Sequence, residues 1–225
     1  MKTRYRAPRR WLQWAMGPAL VLLAVLAQAQ AGAIRAPAGL AAPSRTVLVM
    51  GDSLSAAYGL AAEQGWVALT AERIARDKPG WKVVNASISG ETSAGGAARA
   101  VREVVLHRPA VVVIALGAND GLRGLPPRQT RTNLARMIGA AQGVGAKVLL
   151  VGMRMPPNYG AAYTSEFERI YRDLAKLFDT ALVPFLLQPI ATDRSAFQAD
   201  NLHPVAGAQP KLRDHVWPAL APLLK

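Results

Sequence analysis

Cysteine is absent from the 225 residues. That excludes a thiol nucleophile, a disulfide framework, a cysteine-ligated metal and a lipidated N-terminal cysteine, and it removes any risk of mispairing in an oxidising compartment. Histidine is scarce: His107, His203 and His215 stand far apart, with no H-E-x-x-H among them. No metal site is legible from such spacing. Walker-type loops and a G-x-G-x-x-G opening a helix are also missing, so no cofactor is expected. Acid is in short supply, with 14 Asp and Glu against 27 Lys and Arg and a formal charge of +13. The bases are scattered, where nucleic-acid binding would want a stripe or a recognisable module. No nucleic-acid partner is expected.

The N-terminus accounts for part of that charge. Lys2, Arg4, Arg6, Arg9 and Arg10 precede an apolar stretch over 15–27, followed by the small-x-small sites Ala27-Gln28-Ala29 and Ala29-Gln30-Ala31. Basic, apolar, then small is the pattern of a secretory signal peptide. The apolar run is short for a membrane span of roughly 20 residues. Residues 1–33 are therefore read as a signal peptide cleaved near 29–33, and the protein as periplasmic or secreted. Removing the five leader bases leaves +8, a surplus that favours peripheral contact with an anionic membrane surface or acidic substrates. Residues 34–45, rich in Ala, Pro and Gly, read as a short linker, and 46–225 as one domain.

In that domain apolar runs alternate with helical patterns. Strands are expected at 46–50, 82–86, 110–115, 147–152 and 181–184, and helices at 66–78, 93–107, 128–143, 165–179 and 208–220. Runs such as Val111-Val112-Val113-Ile114 are apolar on both faces, as interior strands of a parallel sheet must be. Right-handed crossovers then give a three-layer α/β/α sandwich with a parallel sheet of about five strands. Ligands gather at the carboxyl ends of such strands.

Chemistry-bearing residues fall at those ends. Ser53, in Gly51-Asp52-Ser53-Leu54-Ser55, follows the first strand, where free backbone N–H groups can face an oxyanion. A serine hydroxyl needs a base within hydrogen-bond reach. His203 alone among the histidines has an acid three residues before it, Asp200, placed to orient the imidazole. Asp193 is the fallback acid. Gly90 and Asn119 follow the second and third strands; taken singly they read equally well as a turn glycine and an Asx-turn asparagine. Asp52 and Asp120 read as structural hydrogen-bonding residues, and Ser55 as a local cap. The serine departs from G-x-S-x-G because Ser55 replaces the final glycine, which disfavours the larger α/β-hydrolase fold.

Four blocks in order, Gly51-Asp52-Ser53-Leu54-Ser55-Ala56-Ala57-Tyr58-Gly59, Asn85-Ala86-Ser87-Ile88-Ser89-Gly90, Leu116-Gly117-Ala118-Asn119-Asp120-Gly121-Leu122-Arg123-Gly124 and Asp200-Asn201-Leu202-His203-Pro204, carry a resemblance. They resemble the SGNH/GDSL hydrolase family, and within it the secreted bacterial arylesterase, acyl-CoA thioesterase and lysophospholipase branch. The resemblance runs from about residue 46 to the end of the chain. It implies a flavodoxin-like fold and a serine esterase acting on carboxylic esters and acyl thioesters, lysophospholipids included; a monomer is expected. It implies Ser53, Asp200 and His203 as catalytic residues, with the Ser53 amide, Gly90 and Asn119 as oxyanion hole. The segment 121–127, with Leu122, Arg123 and Leu125, resembles a mobile loop over the acyl site, and 154–160, with Pro156 and Tyr159, resembles its pocket wall. The alternatives are a carbohydrate deacetylase of the same fold and a non-catalytic lipid-binding module.

Overall fold

Residues 47–51 form the last five positions of the strand β1 (Ser44–Gly51), and every one of them is buried. A strand with no solvent face must have neighbours on both edges and helices on both sides. The computed structural model, which describes residues 43–225, shows how each requirement is met. The expected signal peptide and residues 34–42 of the expected linker lie outside the described residues. Ser44 and Arg45, assigned to that linker, are already strand: Ser44 N donates to the Arg108 carbonyl and opens the sheet two residues early.

Beside β1 lie β2 (Lys82–Asn85) and β3 (Pro109–Ala115), with β4 (Lys147–Val151) and β5 (Ala181–Val183) beyond, in the order β2-β1-β3-β4-β5. All pairings are parallel, Val49 facing Asn85 on one side and Val113 on the other. Centre and edge differ as burial requires. β3 is buried from Val111 to Ala115, whereas the edge strand β2 has no fully buried residue.

The helices are α1 (Trp66–Asp77), α2 (Ser93–His107), α3 (Ala118–Leu122), α4 (Pro127–Gly143), α5 (Ala161–Phe178) and α6 (Gln209–Leu220). α1 packs on α6, while α2 packs on α4 and α4 on α5, so two helical layers sandwich the sheet. Side chains such as Leu48, Ile114, Leu134, Leu149 and Phe167 are wholly enclosed between the layers. Each contributes about 1.5–3 kcal/mol by leaving water. Expected helix boundaries hold within two residues except for α5, which starts at Ala161 and not at 165 because Gly160, at φ +89°, turns the chain directly into it. The short α3 was not expected.

Strand order matters for function. The chain steps from β1 outward to β2, then returns past β1 to β3, so β1 and β3 are neighbours whose connections leave in opposite directions. Loops after such a pair diverge and leave a crevice. Ser53 and Asn119 follow these two strands.

Candidate active site

Past β1 the chain makes a tight turn held by Asp52. Its Oδ1 accepts from Leu54 N at 3.1 Å, and its carbonyl accepts from Ser55 N and Ala56 N at 3.1 and 2.9 Å. Ser53 is lifted at the apex, half-buried, while Asp52 below it is 1% exposed. Burial pushes the Asp52 carboxyl up from 3.8 to about 6, held back chiefly by the Leu54 amide, and its Oδ2 has no hydrogen-bond partner among the described residues. At Ala57 the backbone enters the left-handed region (φ +57°), which turns Tyr58 outward.

Residues 196–205 fold back on themselves. Phe197 bridges Pro204, Gln198 N donates to the His203 carbonyl at 2.8 Å, and Val205 N to the Ala196 carbonyl at 2.9 Å. At the tip Asn201 takes φ +57°, a conformation asparagine tolerates better than most residues. Asp200 Oδ1 accepts from Leu202 N and His203 N at 2.9 and 3.0 Å, and its Oδ2 meets His203 Nδ1 at 2.7 Å. These bonds, first of all that from the imidazole, hold the Asp200 carboxyl down at about 2. An ionised Asp200 accepts a hydrogen bond from Nδ1–H, which keeps the ring proton on Nδ1 and leaves Nε2 as an acceptor. Nε2 lies 2.9 Å from Ser53 Oγ. Serine, base and acid thus form one continuous hydrogen-bonded chain.

That chain borders a cavity of about 460 Å³, lined by Ser53, Asn119 and His203 at the polar end and by Leu122, Met153, Met155, Phe185, Leu187 and Phe197 among its apolar walls. Asn119 Nδ2 spends one hydrogen on the Glu91 carbonyl at 3.0 Å, which fixes the amide and leaves its second hydrogen for a ligand.

A sequence model of the GDSL-like Lipase/Acylhydrolase family matches residues 49–208, and that span carries Ser53, Gly90, Asn119, Asp200 and His203. The chain belongs to this family. It is similar to esterase TesA of Pseudomonas aeruginosa, 52% identical over 183 residues that cover 81% of this chain and 91% of that one. It is 40% identical to the thioesterase 1/protease 1/lysophospholipase L1 of Escherichia coli over 188 residues, covering 82% and 87%. Among solved structures, TesA superposes with a TM-score of 0.77 at 52% identity, covering 79% of this chain and 99% of that one. The psychrotrophic esterase EstA from Pseudoalteromonas, solved as inhibited by monoethylphosphonate, gives 0.76 at 38% identity, covering 80% and 99%.

As a GDSL-family site it departs in places from the sequence expectations. Leu122 and Pro156 line the cavity; Arg123, Leu125 and Tyr159 do not. Arg123 turns to the backbone and donates to the Gly90 carbonyl at 3.0 Å. The Leu125 carbonyl is taken by Tyr163 Oη at 2.9 Å, and Tyr159 donates its own hydroxyl to the Leu122 carbonyl at 3.0 Å. Both tyrosines bolt the 121–127 segment in place. Gly90 is exposed at φ +78°, and none of the described residues stands within 4 Å of where a Cβ would lie. Conformation, not crowding, therefore calls for glycine there. It lies outside the cavity lining.

Asp120 is buried at 1% exposure and accepts from Ser93 N at 2.7 Å, from Ser93 Oγ, and from Thr130 Oγ1 at 3.2 Å. Asn133 Nδ2 completes the cluster by donating to Ser93 Oγ at 3.1 Å. Asp193 is remote from His203 in its bonding: it caps Ser195 and stands 3.9 Å from Lys211. His107 pairs with Glu103, and His215 Nε2 lies 3.0 Å from the Phe185 carbonyl. Two site neighbours escaped the sequence reading. Tyr58 packs against His203 with ring centroids 4.4 Å apart and planes tilted by 36°, and Gln198 Nε2 donates to the Tyr58 carbonyl at 2.8 Å.

Proposed function

We propose that this protein is a serine hydrolase of carboxylic esters and acyl thioesters. Ser53 Oγ attacks the acyl carbonyl carbon while His203 Nε2 takes its proton, and Asp200 stabilises the imidazolium. The negative charge gathering on the carbonyl oxygen is met by the Ser53 amide, the Gly90 amide and Asn119 Nδ2. Collapse breaks the bond to the alcohol or thiol, which leaves with the proton from His203. Water then repeats the sequence on the acyl-enzyme, with His203 again as base.

One observation carries this reading: the Asp200–His203–Ser53 chain, at 2.7 and 2.9 Å, ends at the mouth of an apolar cavity. The cavity supports an acyl chain of medium or long length, and a size of about 460 Å³ is in the range of small-molecule sites. Relatives named esterase, arylesterase and thioesterase/lysophospholipase support both oxygen and sulfur leaving groups, with lysophospholipid among the substrates. Apolar walls speak against the short polar pocket of a carbohydrate deacetylase. A serine already bonded to its base speaks against a non-catalytic lipid-binding module. Export to the periplasm or medium, a monomeric state, and peripheral contact with anionic membrane through the surplus of basic residues belong to the same proposal; the leader pattern and the formal charge support the first and the last.

The test is an acyl series on purified protein, with p-nitrophenyl esters and acyl-CoA thioesters from acetyl to palmitoyl. The expected profile rises well above acetyl and includes thioester turnover. Fastest turnover of acetyl, or none of any ester, would contradict the proposal.

A further inference from the structure

Three adjacent contacts join α3 and its flank to the segment 90–93 that leads into α2. Arg123 Nη2 donates to the Gly90 carbonyl at 3.0 Å, Asn119 Nδ2 donates to the Glu91 carbonyl at 3.0 Å, and Asp120 Oδ2 accepts from Ser93 N at 2.7 Å. Asn119 and Arg123 are four residues apart and share one helix face. Asp120 is rotated toward the core, where Ser93 Oγ and Thr130 Oγ1 also bond it.

The two donors assigned above to the oxyanion outside the serine turn, the Gly90 amide and Asn119 Nδ2, come from different strands. Gly90 follows β2 and Asn119 follows β3, with all of α2 between them in the chain. Covalent connection therefore does not set their spacing. Side-chain packing does not hold Gly90 either, since it is exposed and open on the side where a Cβ would stand. Its backbone has two soft dihedrals, and glycine restrains them least of all residues. Arg123 ties the Gly90 carbonyl and so fixes ψ, while Glu91 N, in the same peptide, donates to the Ile88 carbonyl at 3.1 Å and closes a turn over Ser89 and Gly90 that restrains φ, and the Gly90 N–H with it.

We propose that Arg123 and Asp120 are positioning residues for the oxyanion hole. Arg123 holds the Gly90 peptide from the solvent side and Asp120 holds the start of α2 from the core side. Between them the Gly90 N–H and Asn119 Nδ2 are kept at the separation that a single oxyanion requires. This inference rests on the proposed function.

Arg123→Ala tests it most cleanly, because the side chain is exposed and its removal leaves the core intact. Loss of a whole oxyanion donor costs about 10²–10³ in rate, so a donor left loosely held should cost about tenfold in kcat. KM and melting temperature should stay at parental values. A trifluoromethyl ketone with the preferred acyl chain, which adds Ser53 Oγ and develops the oxyanion, should bind about tenfold more weakly. Arg123→Lys, still able to donate to the carbonyl, should recover part of both losses. Asp120→Asn should lower kcat and ketone affinity together; should that variant fail to fold, Ser93→Ala removes one arm of the same contact and should show a smaller loss of the same kind. Parental kcat and ketone affinity in Arg123→Ala would overturn the proposal. So would a raised KM with kcat unchanged, which would make Arg123 a substrate-binding group. If the parent hydrolyses no ester, or Ser53→Ala keeps its rate, the proposed function fails; if the parent is active through Ser53 and Arg123→Ala is unaltered, only the positioning role fails.

Discussion

Ser53, Gly90 and Asn119 stand just past three neighbouring strands, β1, β2 and β3, above a layer of buried polar groups that includes Asp52, Ser93 and Asp120. Asp200 and His203 sit instead on an irregular loop beyond β5, with 37% of the Asp200 side chain exposed. The strand half draws its geometry from the sheet and from bonds that span distant segments, such as Ser93 to Asp120. The loop half is self-contained: Asp200 bonds two amides and one ring within four residues. Among the described residues only a few bonds cross between the halves, chiefly His203 to Ser53 and Gln198 to the Tyr58 carbonyl. Injury to the loop should therefore fall on chemistry alone, and injury to the enclosed contacts of the strand half, unlike the exposed Arg123, on chemistry and folding together.

Asp200→Asn probes the loop half and should have the largest effect. Asparagine keeps an acceptor for the two amides but offers its NH₂ to Nδ1, which favours the wrong tautomer. Turnover should fall by up to about 10⁴, with KM and melting temperature nearly unchanged. Asp193→Asn, whose partners are Ser195 and Lys211, should be close to silent in the same assay. Equal damage from both would mean that the loop half is not self-contained.

Asn119→Ala probes the strand half. It removes an oxyanion donor and should cost about 10²–10³ in kcat. It also frees the Glu91 carbonyl, so a loss of thermal stability should accompany the loss of rate, unlike Asp200→Asn. Thermal melts of the two variants side by side decide the point.

The two carboxylates should also divide the pH axis. Asp52 titrates at about 6 in the folded protein against an ordinary 3.8, so between those values the folded state holds a proton that the unfolded chain has released. Stability contributed by this group is full below about 4, declines as pH rises through about 6 and is flat above. At about 1.4 kcal/mol per pKa unit the decline is on the order of 2–3 kcal/mol. Asp200 works in the opposite sense, but 37% of its side chain is exposed and solvent screens the gain: its depressed pKa contributes only a small stability, present above 3.8 and lost as pH falls through about 2. Denaturant melts of Asp52→Asn from pH 4 to 7 should show a flatter profile than the parent, and an unchanged slope would count against the burial argument.

Tyr58→Ala should have the smallest effect, since it removes a ring from His203 but none of the hydrogen bonds that orient the imidazole. An aromatic pair in contact contributes ~0.5–1.5 kcal/mol, so kcat should fall no more than about tenfold. A loss approaching that of Asp200→Asn would show that the base depends on the strand half after all.

Much of this was legible because it is local. Every strand run had an apolar pattern, and the three-residue spacing of Asp200 and His203 is visible without a fold. The parts that escaped are non-local or short. α3 has only five residues, Ala118–Leu122, and its Asn-Asp-Gly composition reads as a turn. Tyr58 reaches His203 because Ala57 adopts a left-handed conformation, which no pattern of alanines announces. The cavity walls come from Met153, Phe185, Leu187 and Phe197, which lie on irregular stretches flanking β4 and β5, without periodicity to betray their facing. Arg123 and Tyr159 were legible as neighbours of the site, but whether a long polar side chain turns to a ligand or to a backbone carbonyl depends on carbonyls elsewhere in the chain.

The central claim is that Ser53 is the nucleophile, activated by the loop that approaches it. Reaction with a fluorophosphonate, followed by peptide mapping, tests this most directly. One adduct is expected, on Ser53, with loss of esterase activity in proportion to labelling and much slower labelling in Asp200→Asn. An adduct on Ser55 or Ser89, or full esterase activity in a protein labelled at Ser53, would contradict it.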